Sequence, residues 1–463
     1  MTTAAALAPR LTSDERPIRP HQAPISPLTG LYRGAKTDPL HFFLTMGGTR
    51  DVVEFKNPNG PFFLVNDADM IEHILQGNYK NYPKSTYYHR LKPLFGEGLF
   101  ELEGEAWRVK RQTIQPAFDR KKMDDLSTLM TDEIAAFLDS WTPKAKSGEA
   151  FDIAPHMMHM TFKIITKALC NAEIPGDMAQ LSSSLTTIMR EGERILWAIF
   201  PALYSLPTPR RAKVRQALKH FTGVMSALIA RRCEDVGERG DLLDMLLAAK
   251  DPDTGAPLSP EVLRDDLMTM LLAGHETTAM SLTWICAHLS LNPEVARRLK
   301  AEALSVLGPE RRPTLDDLPD MPYSRMVVEE SLRLYPPFWT LSRQVKEDDR
   351  LGDYRLPAGA TVMISPYVTH RNPRYWDNPE GFDPERFSPE RSEHRPKFAY
   401  FPFGGGPRVC VGRNMALMEA QLFLAMLVRR YSVSLSPGHK VEPSPMISLR
   451  PKNGVRMTVA AAG

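Results

Sequence analysis

A single cysteine lies in a glycine-rich segment near the carboxyl end of the chain, where residues 403–412 read FGGGPRVCVG. The pattern that follows predicts a helix over residues 413–430, so Cys410 is presented from a loop at a helix amino terminus. Free N–H groups and the helix dipole stabilise a thiolate at such a position, and Arg408 adds a cation. Glycines tolerate a positive φ and let the backbone approach a flat group closely. The segment therefore predicts a stabilised thiolate; the alternative is a buried free cysteine beside a glycine turn.

A second group of chemically competent residues lies inside the longest predicted helix, residues 259–291. A serine suits the N-cap, a proline follows it, and an Asn-Pro pair ends the helix. Residues 267–273 are apolar almost all round, which indicates burial. Residues 273–278 (AGHETT) then place a glycine, an acid and two threonines in that interior, where each is costly unless partnered. Such broken rules favour a functional site; the alternative is threonines bonded to helix carbonyls and a glycine for helix packing.

The cysteine segment resembles the heme-binding loop of the cytochrome P-450 superfamily, whose five fixed positions are met by Phe403, Gly406, Arg408, Cys410 and Gly412. The resemblance implies that the Cys410 thiolate is the axial ligand of the iron of heme b. It also implies that residues 273–278 are the family's acid–alcohol motif. In that motif Glu276 and Thr277 relay protons, Gly274 leaves room for dioxygen, and His275 faces away from the heme.

Two further patterns fit the same family in the right order. Trp107 and Arg111, four residues apart on one predicted helix face, resemble its motif for the heme propionates, and Arg343 matches another propionate partner. The cofactor-binding residues implied are Trp107, Arg111, Arg343, Phe403, Arg408, Cys410 and Gly412. Taken alone, a tryptophan and an arginine four residues apart usually mark a solvated amphipathic face.

Glu330 and Arg333 share one face of a predicted helix, and Arg386 follows in the stretch PERF. Together they resemble the family's buried Glu-Arg-Arg triad, which implies a structural role beneath the heme loop. By itself Glu-x-x-Arg is one of the commonest accidental patterns in helices.

Length alone suggests about three domains for 463 residues. The resemblance implies instead one monooxygenase domain over residues 31–463, preceded by a flexible, proline-rich segment at residues 1–30. The fold implied is mainly α (α+β), a large helical region with a smaller β-rich lobe. Heme is expected between the long central helix and the cysteine loop.

Several local patterns predict strands and a mobile segment. Residues 52–55 and 62–65 read as a hairpin around an Asn-Gly turn. Residues 355–364 read as a hairpin around Pro-Ala-Gly, and residues 447–449 and 455–459 as the last hairpin of the chain. The proline-interrupted residues 195–209 are expected, by analogy of fold, to form a lid over the substrate channel; the alternatives are a segment that dips into a membrane surface and an ordinary packed loop.

The composition limits which classes of partner and which cellular compartments are compatible with the chain. A net charge of +3 gives no nucleic-acid footprint. Four widely spaced cysteines without a CxxC pattern favour a reducing compartment over a disulfide framework. The amino-terminal residues hold no apolar run long enough to cross a membrane. We therefore expect a monomeric, cytoplasmic protein without a transmembrane anchor, similar to the soluble bacterial members of the family.

The resemblance implies monooxygenation of a lipophilic molecule with dioxygen, and fatty acids, terpenes, steroids and polyketides all remain open. The expected pocket residues are Leu94, Phe95, Met270, Ala273, Thr340 and Met446. Electrons are expected from a separate ferredoxin or flavodoxin with its reductase. That carrier would be steered by the basic residues Arg108, Lys110, Lys121, Lys122, Arg395 and Lys397. The alternatives are a family member that isomerises or couples substrates without inserting oxygen, and a non-catalytic heme protein that binds a ligand.

Overall fold

The computed structural model describes residues 21–22, 37–56, 60–171, 178–196, 208–234, 241–250 and 255–462. Its α-helices are α1 (Pro39–Gly47), α2 (Ala68–Glu72), α3 (Thr86–His89), α4 (Lys92–Phe95), α5 (Gly104–Ile114), α6 (Arg120–Asp139), α7 (Thr142–Ser147), α8 (Ile153–Cys170), α9 (Met178–Leu196), α10 (Pro209–Glu234), α11 (Leu242–Ala248), α12 (Pro260–Leu291), α13 (Pro293–Leu307), α14 (Pro322–Leu334), α15 (Pro366–Thr369), α16 (Pro389–Ser392) and α17 (Arg413–Arg430). Its strands are β1 (His21–Gln22), β2 (Val52–Phe55), β3 (Phe62–Val65), β4 (Phe151–Asp152), β5 (Leu341–Gln344), β6 (Asp349–Leu351), β7 (Tyr354–Leu356), β8 (Thr361–Ile364), β9 (Tyr431–Leu435), β10 (Pro443–Pro445), β11 (Leu449–Pro451) and β12 (Arg456–Ala461).

Most of the expected amino-terminal segment lies outside the described residues, and so do the tip of the first hairpin and most of the expected lid. No helix in the part of the chain that the structure describes is long and apolar enough to cross a membrane.

Helix α12 begins and ends where the sequence predicts. The Ser259 hydroxyl accepts a hydrogen bond from the Val262 N–H at 3.3 Å, and Asn292 closes the last turn. About 32 residues at a 1.5 Å rise span roughly 48 Å, enough to cross the molecule. Helix α8 packs along it, and α10, α13, α14 and α17 also contact it. Most side chains of α12 are buried, so the helix is a core element and a polar residue in its buried part needs an internal partner.

The largest sheet has the strand order β1-β2-β3-β8-β5. The predicted first hairpin is confirmed, because β2 and β3 pair antiparallel with Val52 opposite Val65. The predicted hairpin over residues 355–364 is wrong: β7 pairs with β6, whereas β8 lies between β3 and β5. Three of the four residues of β8 are buried, and only the interior of a larger sheet can cover them.

The predicted last hairpin is also wrong. Strand β11 pairs with β10, and β12 pairs with β9 and β4. Pro451 cannot donate to a ladder, which favours a short edge pairing for β11. Strand β9, directly after α17, offers β12 five partners in register. The outcome is a mainly α architecture with smaller sheets, which confirms the predicted fold class.

A buried ionic network fixes the chain between α14 and the cysteine loop. Glu330 accepts from Arg333 Nε at 2.7 Å and from Arg386 Nε at 3.3 Å, and the three side chains are almost fully enclosed. Arg333 also donates to the carbonyls of His370, Pro379 and Gly381. Asp377 provides Arg386 with a second anion at 2.6 Å, so every charge in this network is compensated and hydrogen-bonded, the condition under which a buried ion pair is tolerated.

His370 carries this network to the cysteine loop. Its Nε2 accepts the Phe401 N–H at 2.9 Å, so its Nδ1 carries the proton that is donated to the Arg333 carbonyl at 3.2 Å. Burial, together with the charges of Arg333 and Arg371, holds the pKa of His370 well below its ordinary value. A neutral histidine therefore links the triad to the segment that leads to Cys410.

The triad predicts a large loss of stability on removal of its carboxylate. Glu330→Gln leaves the buried Arg333 guanidinium without its anion and removes one of the two anions of Arg386, so we expect the free energy of unfolding to fall by about 3–5 kcal/mol in urea titrations. The control is Asp132→Asn, which removes an exposed ion pair with Arg312 and should cost less than about 1 kcal/mol. Equal losses in the two variants would contradict the buried network.

A second prediction concerns Glu419 of α17, which is buried and whose Oε1 has no hydrogen-bond partner among the described residues. Burial raises its pKa to about 8. Above the ordinary pKa of about 4.3 the unfolded chain releases a proton that the folded chain keeps, so stability falls as pH rises, by about 1.4 kcal/mol per unit. Glu419→Gln should lack this contribution, and urea midpoints measured up to about pH 8 should fall less steeply with pH than those of the wild type. Parallel curves would show that Glu419 ionises normally.

Candidate active site

The cysteine loop is closed by its own backbone. The Cys410 N–H donates to the Phe403 carbonyl at 3.0 Å, and α17 begins after Gly412. Burial raises the pKa of the Cys410 thiol above its ordinary value. The N–H groups of Gly412 and Arg413 and the charge of Arg111 oppose this shift but do not cancel it. A thiolate here needs a further positive charge, which a metal centre supplies.

The glycines of the loop serve more than one purpose. Gly406 has a φ of +63°, and a Cβ there would lie 1.8 Å from the Leu75 carbonyl oxygen; a Cβ on Gly405 would lie 2.2 Å from the Phe398 ring. At these two positions the missing Cβ makes room for protein atoms, and the close approach of the loop to a flat ligand stays a prediction. A Cβ on Gly412 would meet nothing within 4 Å, so the approach beside Cys410 is open.

Open space also lies against the middle of α12. Ala273 is exposed and Gly274 and Thr277 are partly exposed, although the residues on either side of this stripe are buried. Cys410 is likewise exposed, although burial dominates the pKa of its thiol. Exposure at positions enclosed by core elements marks an internal cavity. Cys410 and the exposed stripe of α12 that contains Thr277 thus both border internal space.

The acid of α12 has partners that the sequence did not reveal. The Glu276 carboxylate is almost fully buried: its Oε1 accepts from Arg450 Nε at 2.7 Å and from the Ser448 hydroxyl. Its Oε2 lies 2.6 Å from Arg450 Nη2 in an ion pair, without a hydrogen bond among the described residues. The Thr277 hydroxyl donates to the Ala273 carbonyl at 2.6 Å. The acid and the alcohol are adjacent, and each is already engaged.

The other two positions of this turn, His275 and Gly274, face α8. His275 contacts the Met158 carbonyl through Nε2 at 2.9 Å and is fully buried, as expected for a residue that points away from the cavity. A Cβ on Gly274 would lie 2.7 Å from Ile165 Cδ1. Gly274 therefore permits close packing of α12 on α8, and the expectation that it leaves room for dioxygen is wrong.

Cations outnumber anions beside the cysteine loop. The Arg408 guanidinium lies 4.4 Å from the centre of the Trp107 ring and is paired with Glu103. Burial and the charges of Arg408 and Arg343 lower the pKa of Lys84 to about 7. Such a cluster is costly without negative charge, and the two carboxylates of a heme would provide it.

Three neighbouring side chains, Arg343, Glu101 and Arg111, complete this cluster, and none of them adds a whole negative charge. Arg343 is buried, and its Nη1 reaches the carbonyl of Ser342 at 2.9 Å. Glu101 adds only part of a negative charge near neutral pH, because burial raises its pKa to about 7. Arg111 donates to the Val409 carbonyl at 2.9 Å and so braces the cysteine loop. Sequence reasoning missed Lys84, since an isolated lysine in a loop carries no pattern.

The expected pocket residues come from four separate segments. Leu94, Phe95 and Met270 are buried in the main core cluster. A Cβ on Gly192 of α9 would lie 3.5 Å from Leu94 Cδ1 and 2.9 Å from Ile447 Cδ1, which brings α9, α4 and the carboxyl-terminal turn together. The Met446 carbonyl accepts from Trp339 Nε1 at 2.9 Å, which places Met446 beside the segment that contains Thr340.

Comparisons with known proteins agree with this geometry. A family model described as Cytochrome P-450 matches residues 26–458. Cyclooctatin synthase of Streptomyces melanosporofaciens is 33% identical over 427 residues, covering 91% of this chain and 92% of that protein. The cyclooctat-9-en-7-ol 5-monooxygenase of the same organism is 31% identical and covers 92% of each chain.

Solved structures share the fold. The heme domain of cytochrome P-450DA superposes with a TM-score of 0.86 at 22% identity, over 96% of this chain and 98% of that one. Retinoic acid-bound cyanobacterial CYP120A1 superposes with a TM-score of 0.79 at 27% identity, over 89% and 92%.

The chain belongs to the cytochrome P-450 family. It is a monooxygenase of that family, and heme is its cofactor. The residues present fit that group: one cysteine beside an open approach, and an excess of buried cations that calls for carboxylates.

Cys410→Ser should separate a thiolate ligand from a structural thiol. Serine has nearly the same volume, so we expect a folded protein whose reduced, carbon monoxide-treated spectrum lacks the red-shifted thiolate-type Soret band. The matched control is Cys233→Ser, which changes an exposed cysteine of α10 and should leave that band intact. A normal band in the Cys410 variant would exclude Cys410 as the ligand.

Proposed function

We propose that the protein inserts one atom of dioxygen into a lipophilic molecule of the terpene class, with electrons from a separate ferredoxin or flavodoxin and its reductase. The observation that carries this proposal is the acid–alcohol pair, Glu276 and Thr277, on the cavity-facing turn of an otherwise buried helix. An oxygenase needs protons delivered to a site that excludes bulk water, and a buried acid beside a hydroxyl can deliver them.

The remaining residues hold and tune the cofactor. Bound heme supplies the dioxygen chemistry. Cys410 is its thiolate ligand, stabilised by the N–H groups of Gly412 and Arg413. The carboxylates of the heme would be held by the cationic group around Arg343 and Arg408. Lys84 and Arg111 extend this group, and Trp107 lies beside it. Phe403 and Gly412 shape the loop on either side of the ligand.

The substrate class rests on the pocket and on the relatives. The expected contacts are apolar: Leu94, Phe95, Met270, Ala273 and Met446, with only Thr340 adding a hydroxyl. By their names, one relative acts on cyclooctat-9-en-7-ol, an alkene with a single hydroxyl, and one structural neighbour holds retinoic acid. An apolar pocket with few polar groups suits such molecules.

The surface proposed for the electron carrier needs one correction. Lys110 is buried and bound to Asp266 at 2.5 Å, so it cannot attract a partner. Arg395 lies 4.0 Å from the centre of the Trp376 ring, and Arg108 is paired with Glu105. Lys121 and Lys122, in the first turn of α6, remain the better candidates for attracting an acidic carrier.

Turnover with isotopic oxygen tests the proposal. Terpenes are first screened for a shift of the heme Soret band to shorter wavelength, and a binder is then turned over with a surrogate ferredoxin system under labelled dioxygen. We expect one labelled atom in each product molecule. A product without label would indicate an isomerase or coupling enzyme, and binding without turnover a non-catalytic ligand-binding protein.

Thr277→Ala tests the alcohol in the same assay. Loss of the hydroxyl should lower the product formed per electron pair by about tenfold, because proton delivery fails while reduction continues. Thr278→Ala is the matched control, since Thr278 is buried away from the exposed stripe. Equal yields from the two variants would remove Thr277 from the relay.

A further inference from the structure

Two polar groups beside strand β11 have hydrogen-bonding capacity that no described residue fills. The Glu276 Oε2 atom is buried and makes an ion pair but no hydrogen bond. Arg450 uses Nε and Nη2 for Glu276, which leaves Nη1 without a hydrogen bond in the described part of the chain. Buried polar groups normally have partners, so this unfilled capacity indicates a place for a polar group of a ligand.

A third group of this kind lies on α9. Glu193 is partly buried, and its carboxylate takes part in no hydrogen bond or ion pair among the described residues. It follows Met189 by four residues and Leu185 by eight, and both of these side chains are buried. Residues at this spacing share one face of a helix, so Glu193 lies on the inward side of α9.

Electrostatic interaction places Glu193 near the other two groups. Burial raises the pKa of Glu193 above its ordinary value, the charges of Arg194, Arg450 and Arg190 oppose this shift, and that of Glu276 adds to it. Among the described residues, however, the ion pair of Arg450 is with Glu276 and not with Glu193. A gap therefore separates the Glu193 carboxylate from the free edge of the Arg450 guanidinium.

This gap borders the apolar part of the expected pocket. A Cβ on Gly192, the residue before Glu193, would lie 2.9 Å from Ile447 Cδ1 and 3.5 Å from Leu94 Cδ1. Ile447 precedes Arg450 by three residues, and Leu94 is one of the expected pocket residues. A molecule that packs against Leu94 can therefore place a polar end between Glu193 and Arg450.

One hydroxyl group suits both sides of the gap. A hydroxyl donates one hydrogen bond and accepts others, so it can donate to the Glu193 carboxylate and accept from Arg450 Nη1 at the same time. A carboxylate has no proton to donate, and it would meet two acidic groups, Glu193 and Glu276, beside a single cation. A hydrocarbon would leave both polar groups without a partner, which is costly in a buried site.

We propose that Glu193 and Arg450 form a subsite for a hydroxyl group that the substrate already carries, so that the protein selects hydroxylated terpenes over hydrocarbons and over carboxylic acids of similar size. This inference rests on the proposed monooxygenase function and narrows its substrate class. Glu193 is the specificity-determining residue of the pair, because Arg450 is also bound to Glu276.

Three compounds with one carbon skeleton test the subsite by titration of the heme Soret band in the holoenzyme. We expect farnesol to bind about tenfold more tightly than farnesyl methyl ether, which donates no hydrogen bond and leaves Glu193 without a partner. Farnesoic acid should also bind more weakly than farnesol, because its charge is repelled by Glu193 and Glu276.

Substitutions at Glu193 assign this preference to the carboxylate. Glu193→Leu accepts no hydrogen bond and should reduce the preference for farnesol over the ether to less than about twofold, whereas a preference caused by the extra methyl group would persist. Glu193→Gln keeps an acceptor of the same size without the charge, so it should retain most of that preference and bind farnesoic acid more tightly than the wild type does.

The control Glu442→Leu changes an exposed acid of the carboxyl-terminal region and should leave all three affinities unchanged. The carbon monoxide spectrum of the reduced protein shows whether each variant has folded around its heme.

Two outcomes would overturn the inference. In one, the wild type binds farnesol no more tightly than the methyl ether, including the case in which neither binds. In the other, Glu193→Leu keeps the preference of the wild type. The proposed function is judged separately by turnover under labelled dioxygen, because a monooxygenase without this subsite would still incorporate one labelled atom.

Discussion

The architecture of the site depends on one buried carboxylate. Glu330 pairs with two enclosed guanidinium groups, one of which also pairs with Asp377, and it accepts the Asp383 N–H, so it organises the irregular chain around residues 377–386. A neutral His370 passes this order to Phe401, two residues before the cysteine loop begins. The position of Cys410 is therefore set by compensation of charge in the core, because the loop has little secondary structure of its own.

Across the cavity, the buried group that needs a partner is an acid on α12 and not an arginine. The helix is buried along most of its length, yet it carries an acid, and the partner of that acid is distant in sequence. Strand β11, which carries Arg450, is tied to the same helix, since Trp284 donates to the Leu449 carbonyl at 3.0 Å. Because this part of α12 is buried, an acid there is costly unless a neighbouring element provides a polar partner, and β11 provides it.

Local sequence predicted what is local in the structure. The cap and end of α12, the first hairpin and the loop before α17 all follow from neighbouring residues. Strand pairing failed for β7, β8, β11 and β12, because any of several edges satisfies the same alternation and tertiary burial selects among them. Lys110 read as a surface cation until Asp266 provided a buried partner, and no pattern connects Glu276 with a residue 174 positions away.

The close approach of Gly406 to the Leu75 carbonyl has a consequence for biosynthesis. The cysteine loop rests on a turn formed near the start of the chain, while the partner of Glu276 is the 450th of 463 residues. A fragment that ends before residue 450 lacks the partner of Glu276, so the complete heme pocket cannot form until that residue has been synthesised.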